Sequence, residues 1–250
     1  KAKGVNVYHL STYQTSKDRM RIISKIKNDL SQNKKIYVVS TSLIEAGIDV
    51  DFKTVYRELS GLEHILQSAG RCNREGKYDK NDCKTYIVKL DEKIKNKELA
   101  ISEKYVEKIT DKCEMNELIK IYYNEVYTKK RMNQMKLTTF IQNQKLPLDI
   151  ASIPFKSYSE AFKLINDYNQ TIIVPDNDQL LWALTNNSVS PRSVQDYACT
   201  VSITDVEFLL KNKSIETNDS GITYLIDEAM YDENIGIKVD GTNDFGTLIF

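Results

Sequence analysis

Between Gln67 and Gly76 the chain reads Gln-Ser-Ala-Gly-Arg-Cys-Asn-Arg-Glu-Gly. Arg71 and Arg74, three positions apart and preceded by Gln67 and Gly70, form a set suited to a polyanion. Arginine keeps its charge at physiological pH, and its planar fork matches phosphate geometry. Glycine lets a second surface approach the backbone. On a helix, spacings of three and four put Gln67, Gly70, Arg71 and Arg74 on one face, leaving Ile65, Leu66 and Ala69 to pack. Two arginines also suit a solvated helix end, where the dipole favours cations. The upstream stretch decides between these readings.

That stretch, Ser40 to Asp51, directly follows the apolar run Ile36-Tyr37-Val38-Val39. Ser42 and Glu45 have the S-x-x-E spacing of a capping box, which starts a short helix. Free N–H groups at a helix start attract phosphate, and in open α/β sheets ligands bind beyond the carboxyl ends of strands. Ser42 reads equally as a plain cap or as a cap with a phosphate contact. Thr41 is better placed to reach a nucleic-acid backbone. Gly47 permits close approach of a ligand. Asp49 is suited to accept from a ribose hydroxyl or to cap a loop.

The elements that position these groups follow from periodicity. Val5–Leu10, Ile36–Val39, Thr54–Tyr56 and Lys84–Leu90 read as strands, and the unbroken apolar run at 36–39 suggests cover on both faces. Ser16 caps a helix to about Leu30 with Met20, Ile23, Ile26 and Leu30 as its stripe, and Leu62–Asn73 reads as a second helix. Strands alternating with helices give an α/β class with a mostly parallel sheet flanked by helices, over residues 1–92. Residues 93–150 read as a helical connector, with Ile101, Tyr105, Ile109, Leu118, Tyr122 and Val126 at helical spacing. Pro147 and Pro154 mark a boundary. Residues 151–250 then form a small α+β domain, with helices at Tyr158–Ile165, Asp178–Thr185 and Val206–Leu210 and strands at 171–174, 197–201, 223–226 and 235–239.

The 250 residues are 41% hydrophobic, enough for a core, and no apolar run reaches the ~18 residues a membrane helix needs. The 4 cysteines form no Cys-x-x-Cys pair, and with only His9 and His64 beside them a zinc site is not expected. Few, scattered cysteines suit a reducing cytoplasm. Neither a signal peptide nor an initiator Met is present, which suggests a piece of a longer protein. The overall net charge of zero hides a gradient: residues 1–90 hold 17 Lys and Arg against 10 acids, whereas residues 160–250 hold 5 against 15. A basic front and an acidic back place the polyanion-binding face on the front.

Thr41 to Asp51, with Gln67-x-x-Gly70-Arg71-x-x-Arg74, resembles motifs V and VI of superfamily-two helicases. More narrowly, Ser-Thr-x-Leu-Ile-Glu-Ala-Gly-Ile-Asp-Val-Asp-Phe, then Val55-Tyr56-Arg57, then the Cys-Asn between the arginines and the Glu-Gly after them, resembles the type I CRISPR-associated helicase–nuclease family. Val194–Tyr197, Phe208–Leu210 and Tyr231–Ile237 resemble that family's C-terminal domain.

The resemblance implies a second RecA-like domain followed by a C-terminal domain. Arg71 and Arg74 would be arginine fingers to the ATP γ-phosphate, with Gln67 positioning the phosphate or the attacking water. Gly47, Asp49 and Gly70 would line the nucleotide site, and Thr41 and Ser42 would touch single-stranded DNA. ATP with Mg2+ and an RNA-guided CRISPR surveillance complex are the implied cofactor and partner. The sequence departs from the full family pattern by lacking G-x-x-x-x-G-K-[ST]: Tyr78 follows Gly76-Lys77, and Arg71 stands where the first Gly belongs. Two distant histidines cannot build the family's metal nuclease. The phosphate cradle and nuclease are therefore expected outside residues 1–250, and the chain alone is expected to be inactive. Another superfamily-two translocase and a non-catalytic nucleic-acid-binding module are the alternatives.

Overall fold

A computed structural model describes residues 5–45, 47–89, 103–108, 115–129 and 169–239. These belong to two compact units: residues 1–59, 63–91 and 168–250 in one, and residues 60–62 and 92–167 in the other. The expected helices at 158–165 and over 91–102 lie outside the described residues.

In the first unit, β1 (Asn6–Leu10) pairs in parallel with β2 (Ile36–Ser40), through Asn6↔Ile36 to Leu10↔Ser40. Helix α1 (Ser16–Ser31) links them, as a parallel pair requires. Its N-cap is Thr15, one residue before the expected Ser16: Asp18 N–H donates to Thr15 Oγ1 at 3.2 Å, and the hydroxyl donates back to the Asp18 carboxylate. Thr15-x-x-Asp18 thus closes its own capping ring. Ile22 and Ile26 pack with Leu10, Ile44, Ile48 and Val50. Met20, expected on this stripe, is exposed.

The second parallel pair is β3 (Thr54–Glu58) with β4 (Lys84–Val88), and α2 (Leu62–Ala69) lies between them in sequence. The two pairs are separate sheets among the described residues. Among the described residues the expected cover on both faces of β2 is not found: Tyr37 is 43% exposed.

The acidic end of the chain is a mixed α/β layer. β5 (Asn169–Ile173) pairs antiparallel with β6 (Ala198–Ser202) and in parallel with β8 (Thr223–Leu225), which pairs antiparallel with β7 (Ile215–Thr217). Helix α4 (Asp178–Thr185) is capped by Asn177, and α5 (Ile203–Lys211) by Ser202. Cys199, Val201, Val206 and Leu209 form its core with Ile172. A short antiparallel pair, β9 (Tyr231–Asp232) and β10 (Gly236–Ile237), completes it.

This layer and the N-terminal strands are one compact unit because the segment 231–237 grips the loop before α1. Tyr231 Oη accepts from Thr15 N–H at 2.9 Å and donates to Asp18 Oδ2 at 2.8 Å. Gln14 Nε2 donates to Asn234 O at 2.7 Å, and Ile237 N–H to Tyr13 O at 3.0 Å. Tyr13 also hydrogen-bonds the Asp205 carboxylate. Gly236 sits at φ +97°, and a Cβ there would lie 2.5 Å from the Tyr13 backbone, so no side chain fits.

In the second unit α3 (Met115–Lys129) buries Leu118, Tyr122 and Val126 together with Tyr105. Tyr105 stacks edge-on against Tyr122 with ring centroids 5.5 Å apart. Ile101 and Ile109 of the expected stripe lie outside the described residues.

Candidate functional site

The two motif stretches meet through the backbone. Phe52 N–H donates to Arg71 O at 2.9 Å and Asn73 N–H to Phe52 O at 2.8 Å, a parallel bridge across Phe52 and Cys72. Asp51 adds two acceptors: Arg74 N–H reaches Oδ1 at 2.7 Å and Glu75 N–H reaches Oδ2 at 3.3 Å. This pairing ends α2 at Ala69. Gly70, Arg71 and Arg74 therefore leave the helix, and only Gln67 stands on it, exposed. The expectation of a single helical face bearing all four is incorrect.

Asn73 explains why the Cys-Asn step suits this turn. Its φ of 51° would strain most residues, and asparagine tolerates it. Its side chain then braces the following loop, accepting from Tyr78 N–H at 3.0 Å and donating to Tyr78 O at 2.9 Å.

The two arginines have different surroundings. Arg71 is half-buried; its Nε donates to Ile44 O at 3.1 Å and its Nη2 to Glu45 O at 2.7 Å. It holds the turn after β2. Arg74 is exposed and its Nη1 lies 2.8 Å from Asp49 Oδ1. Gly47, at φ +77°, has no heavy atom within 4 Å of where a Cβ would sit. Gly70 is exposed, and a Cβ there would meet only the Gln67 and Leu66 carbonyls at 3.4 Å, so the fold itself does not demand glycine.

Ser42 to Glu45 forms a single 3-10 turn, with Ser42 exposed at its start. The expected capping box is not formed, because Glu45 turns inward. Its carboxylate meets Arg57 Nη2 at 3.0 Å and His64 Nδ1 at 2.7 Å, with the Glu45 and Arg57 side chains 3% and 5% exposed. Ser68 Oγ donates to the same carboxylate at 3.4 Å. Arg57 Nε and Nη1 have no hydrogen-bond partner among the described residues. One carboxylate thus ties the turn to β3 and α2, while its own carbonyl receives Arg71. Sequence reading missed this hub, since the local S-x-x-E pattern gave no sign of partners 12 and 19 positions on.

Thr41 is placed against expectation. Its hydroxyl is buried with no partner among the described residues, and its N–H donates to Leu10 O at 3.1 Å. Its hydroxyl faces inward, whereas Ser42 is exposed. Among the described residues no cluster of three or more His, Cys, Asp or Glu could hold a metal ion, and no helix is long and apolar enough to cross a membrane.

Residues 1–77 match a family model described as the C-terminal part of the CRISPR-associated nuclease/helicase Cas3. Over 62 residues the chain is 40% identical to the CRISPR-associated nuclease/helicase Cas3 of Haloferax volcanii, a match covering 24% of this chain and 7% of that protein. In fold it resembles T. fusca Cas3-AMPPNP, with TM-score 0.60 and 12% identity over 95% of this chain and 36% of that one. It also resembles a chain of a CRISPR RNA-guided surveillance complex in a pre-nicking state, with TM-score 0.55 and 11% identity over 95% of this chain and 38% of that one. Each match takes in a minor part of the relative. In its first 77 residues the chain is similar in sequence to the C-terminal part of the Cas3 nuclease/helicases, and over nearly all its length it shares the fold of part of T. fusca Cas3.

Proposed function

We propose that the chain is the C-terminal part of an ATP-driven single-stranded-DNA translocase of CRISPR defence, recruited in the cytoplasm by an RNA-guided surveillance complex. The observation that carries the proposal is the zipper of Asp51 and Phe52 with Arg71, Asn73 and Arg74. It presents an exposed guanidinium against Asp49, two residues after Gly47. Exposed Arg74, exposed Asp49 and a glycine with open space around it fit the rim of a nucleotide site. They do not form a phosphate cradle, which needs a ring of backbone N–H groups and a lysine.

ATP with Mg2+, when bound, supplies the phosphoryl group whose transfer drives movement, and another part of the protein holds most of it. This chain's residues then divide the work. Arg74 swings from Asp49 to place positive charge where charge develops in phosphoryl transfer, a contribution of ~10³–10⁵ in rate for an arginine finger. Asp49, released, accepts from the ribose. Arg71 acts through the backbone of residues 44 and 45, positioning the turn that carries Ser42 toward DNA. Gln67 orients the attacking water from the exposed side of α2. The similarity to T. fusca Cas3-AMPPNP supports the nucleotide, and that to the surveillance-complex chain supports the partner.

The experiment is a three-way assay on the longer protein: ATP hydrolysis, strand unwinding and single-stranded-DNA binding for Arg74→Ala. Loss of the first two with binding kept within about twofold is expected. Equal loss of all three, or steady ATP turnover by residues 1–250 alone, overturns the reading.

A further inference from the structure

Glu45 is shared by two basic side chains of very different burial. Arg57 reaches its carboxylate from β3 with a side chain 5% exposed, and His64 reaches it from α2 with a side chain 46% exposed. Ser68 adds a neutral donor. The Arg57 guanidinium already balances the one negative charge, and its Nε and Nη1 find no second acceptor among the described residues. A proton on His64 is therefore surplus charge, and it sits on the exposed member of the group. A half-exposed ring is also not needed to fill the core, which Arg57 and Ile65 fill from either side of the turn.

The contact with Glu45 fixes which nitrogen the ring offers outward. Paired with Arg57, the carboxylate is an acceptor only. Nδ1 then carries its proton and donates to Glu45 at 2.7 Å, leaving Nε2 for another partner. Along α2, His64 and Gln67 are exposed whereas Ile65 and Ser68 are buried, so the ring stands one helical turn before Gln67 on the same stripe. On the other side of the contact, Glu45 ends the 3-10 turn that exposed Ser42 opens. Three steps of about 2 Å put the two ends of that turn about 6 Å apart. A hydroxyl and an oriented imidazole thus flank one short turn.

We infer that His64 is a further contact to single-stranded DNA: its Nε2–H donates to a backbone phosphate next to the one that Ser42 meets, while Glu45 holds the opposite side of the ring. This rests on the translocase reading and extends its DNA-binding surface from the turn after β2 onto α2. Carboxylate and phosphate both accept, so the bound ring is the imidazolium, and binding from the neutral ring takes up a proton. The charged groups around it are Glu45 from the turn, Arg57 from β3 behind that carboxylate, and Glu63 at the preceding position of α2. A phosphate contact positions the strand and reads no base.

The test measures how the longer protein that carries residues 1–250 binds a dT strand of about 20 nucleotides, across a salt series at about pH 6.5 and about pH 8.5. At the lower pH, His64→Gln is expected to bind about fivefold more weakly. Its salt slope should be shallower by about 0.7, the share of one phosphate on a single strand. At the higher pH, where imidazoles are neutral, it should match the wild type within about twofold. His64→Lys, charged throughout, should keep the wild-type slope at the lower pH and hold it at the higher. An unchanged slope in His64→Gln overturns the inference. So does a raised KM for ATP with DNA binding intact, which would put the ring at the nucleotide, or weaker binding that follows a lowered melting temperature and that His64→Lys does not rescue. Failure of the wild type to bind the strand is a different result, and overturns the translocase reading beneath it.

Discussion

Arg74 Nη1 lies 2.8 Å from Asp49 Oδ1, in a pair whose side chains are 45% and 67% exposed. Exposed pairs contribute ~0–1 kcal/mol, so separating them costs little. Arg74→Ala is therefore expected to leave stability within about 0.5 kcal/mol. It should nevertheless lower ATP hydrolysis by the longer protein about 10³-fold or more. Calorimetry beside steady-state kinetics checks this. A destabilised but active variant would make Arg74 a surface brace.

Glu45 is the opposite case. Removing its carboxylate leaves the Arg57 guanidinium buried without its counter-charge. Glu45→Ala should cost about 3–5 kcal/mol, while Glu45→Gln, which keeps shape and hydrogen bonding, should cost less. Urea unfolding of the two variants distinguishes them. Equal and small effects would mean that Arg57 finds another partner.

Two glycines should respond differently. Gly236→Ala drives a Cβ into the Tyr13 backbone at a positive φ; strain of this kind costs of order 1–3 kcal/mol. Hydrogen exchange at residues 12–15 should rise in that variant. Gly70→Ala meets only carbonyls at 3.4 Å and should be stable. If it nonetheless loses DNA-stimulated ATP hydrolysis, something approaches closely at that position.

Asp29 sets an acid limit. The Tyr8 hydroxyl, Lys34 and Asn6 all donate to its carboxylate, at 2.7, 2.9 and 2.7 Å, and hold it at about 2 against an ordinary 3.8. A depressed carboxylate stabilises the fold above its unfolded value and loses that contribution as pH falls through the folded one. The urea midpoint should thus drop between about pH 4 and pH 2. Asp29→Asn should shrink that drop. An unchanged pH profile in the variant would remove Asp29 as its cause.

Buried Cys199 has its thiol pushed up to about 12 by desolvation. It should resist alkylation in the native state, while half-buried Cys72 and Cys83 react. Mass spectrometry after brief iodoacetamide treatment reads this directly. Labelling of Cys199 at the Cys72 rate would indicate an opened core.

Elements governed by local rules were legible in the sequence. α1, β1, β2 and α4 follow from periodicity and caps, with Thr15 displacing Ser16 as the cap because its partner Asp18 is three positions on. Features decided by distant partners were not. The helix over motif VI reads as continuous to Asn73, but Phe52 captures the backbone of Arg71 and Asn73 and stops it early. Glu45 reads as a cap until Arg57 and His64 draw it inward. Nothing local signals that Arg21 pairs with Glu233 at 3.4 Å, or that Asp232 accepts from the N–H groups of Asn234 and Ile235. The types of the chemistry-bearing residues were readable, and their division of labour was not.

The grip of Tyr231 and Gly236 on Tyr13 to Asp18 also fixes an order of events during synthesis. Tyr13 and Asp205 are 192 positions apart, and contacts of such long range are late and slow to form. At the usual pace of ~5–20 residues per second, the loop before α1 waits ten seconds or more, on the order of 200 residues' elongation, for its partner to leave the ribosome. Meanwhile its hydrogen-bonding groups lack the partners that later bury them. A premature stop before residue 231 would leave Gln14 and Thr15 permanently without their partners Asn234 and Tyr231.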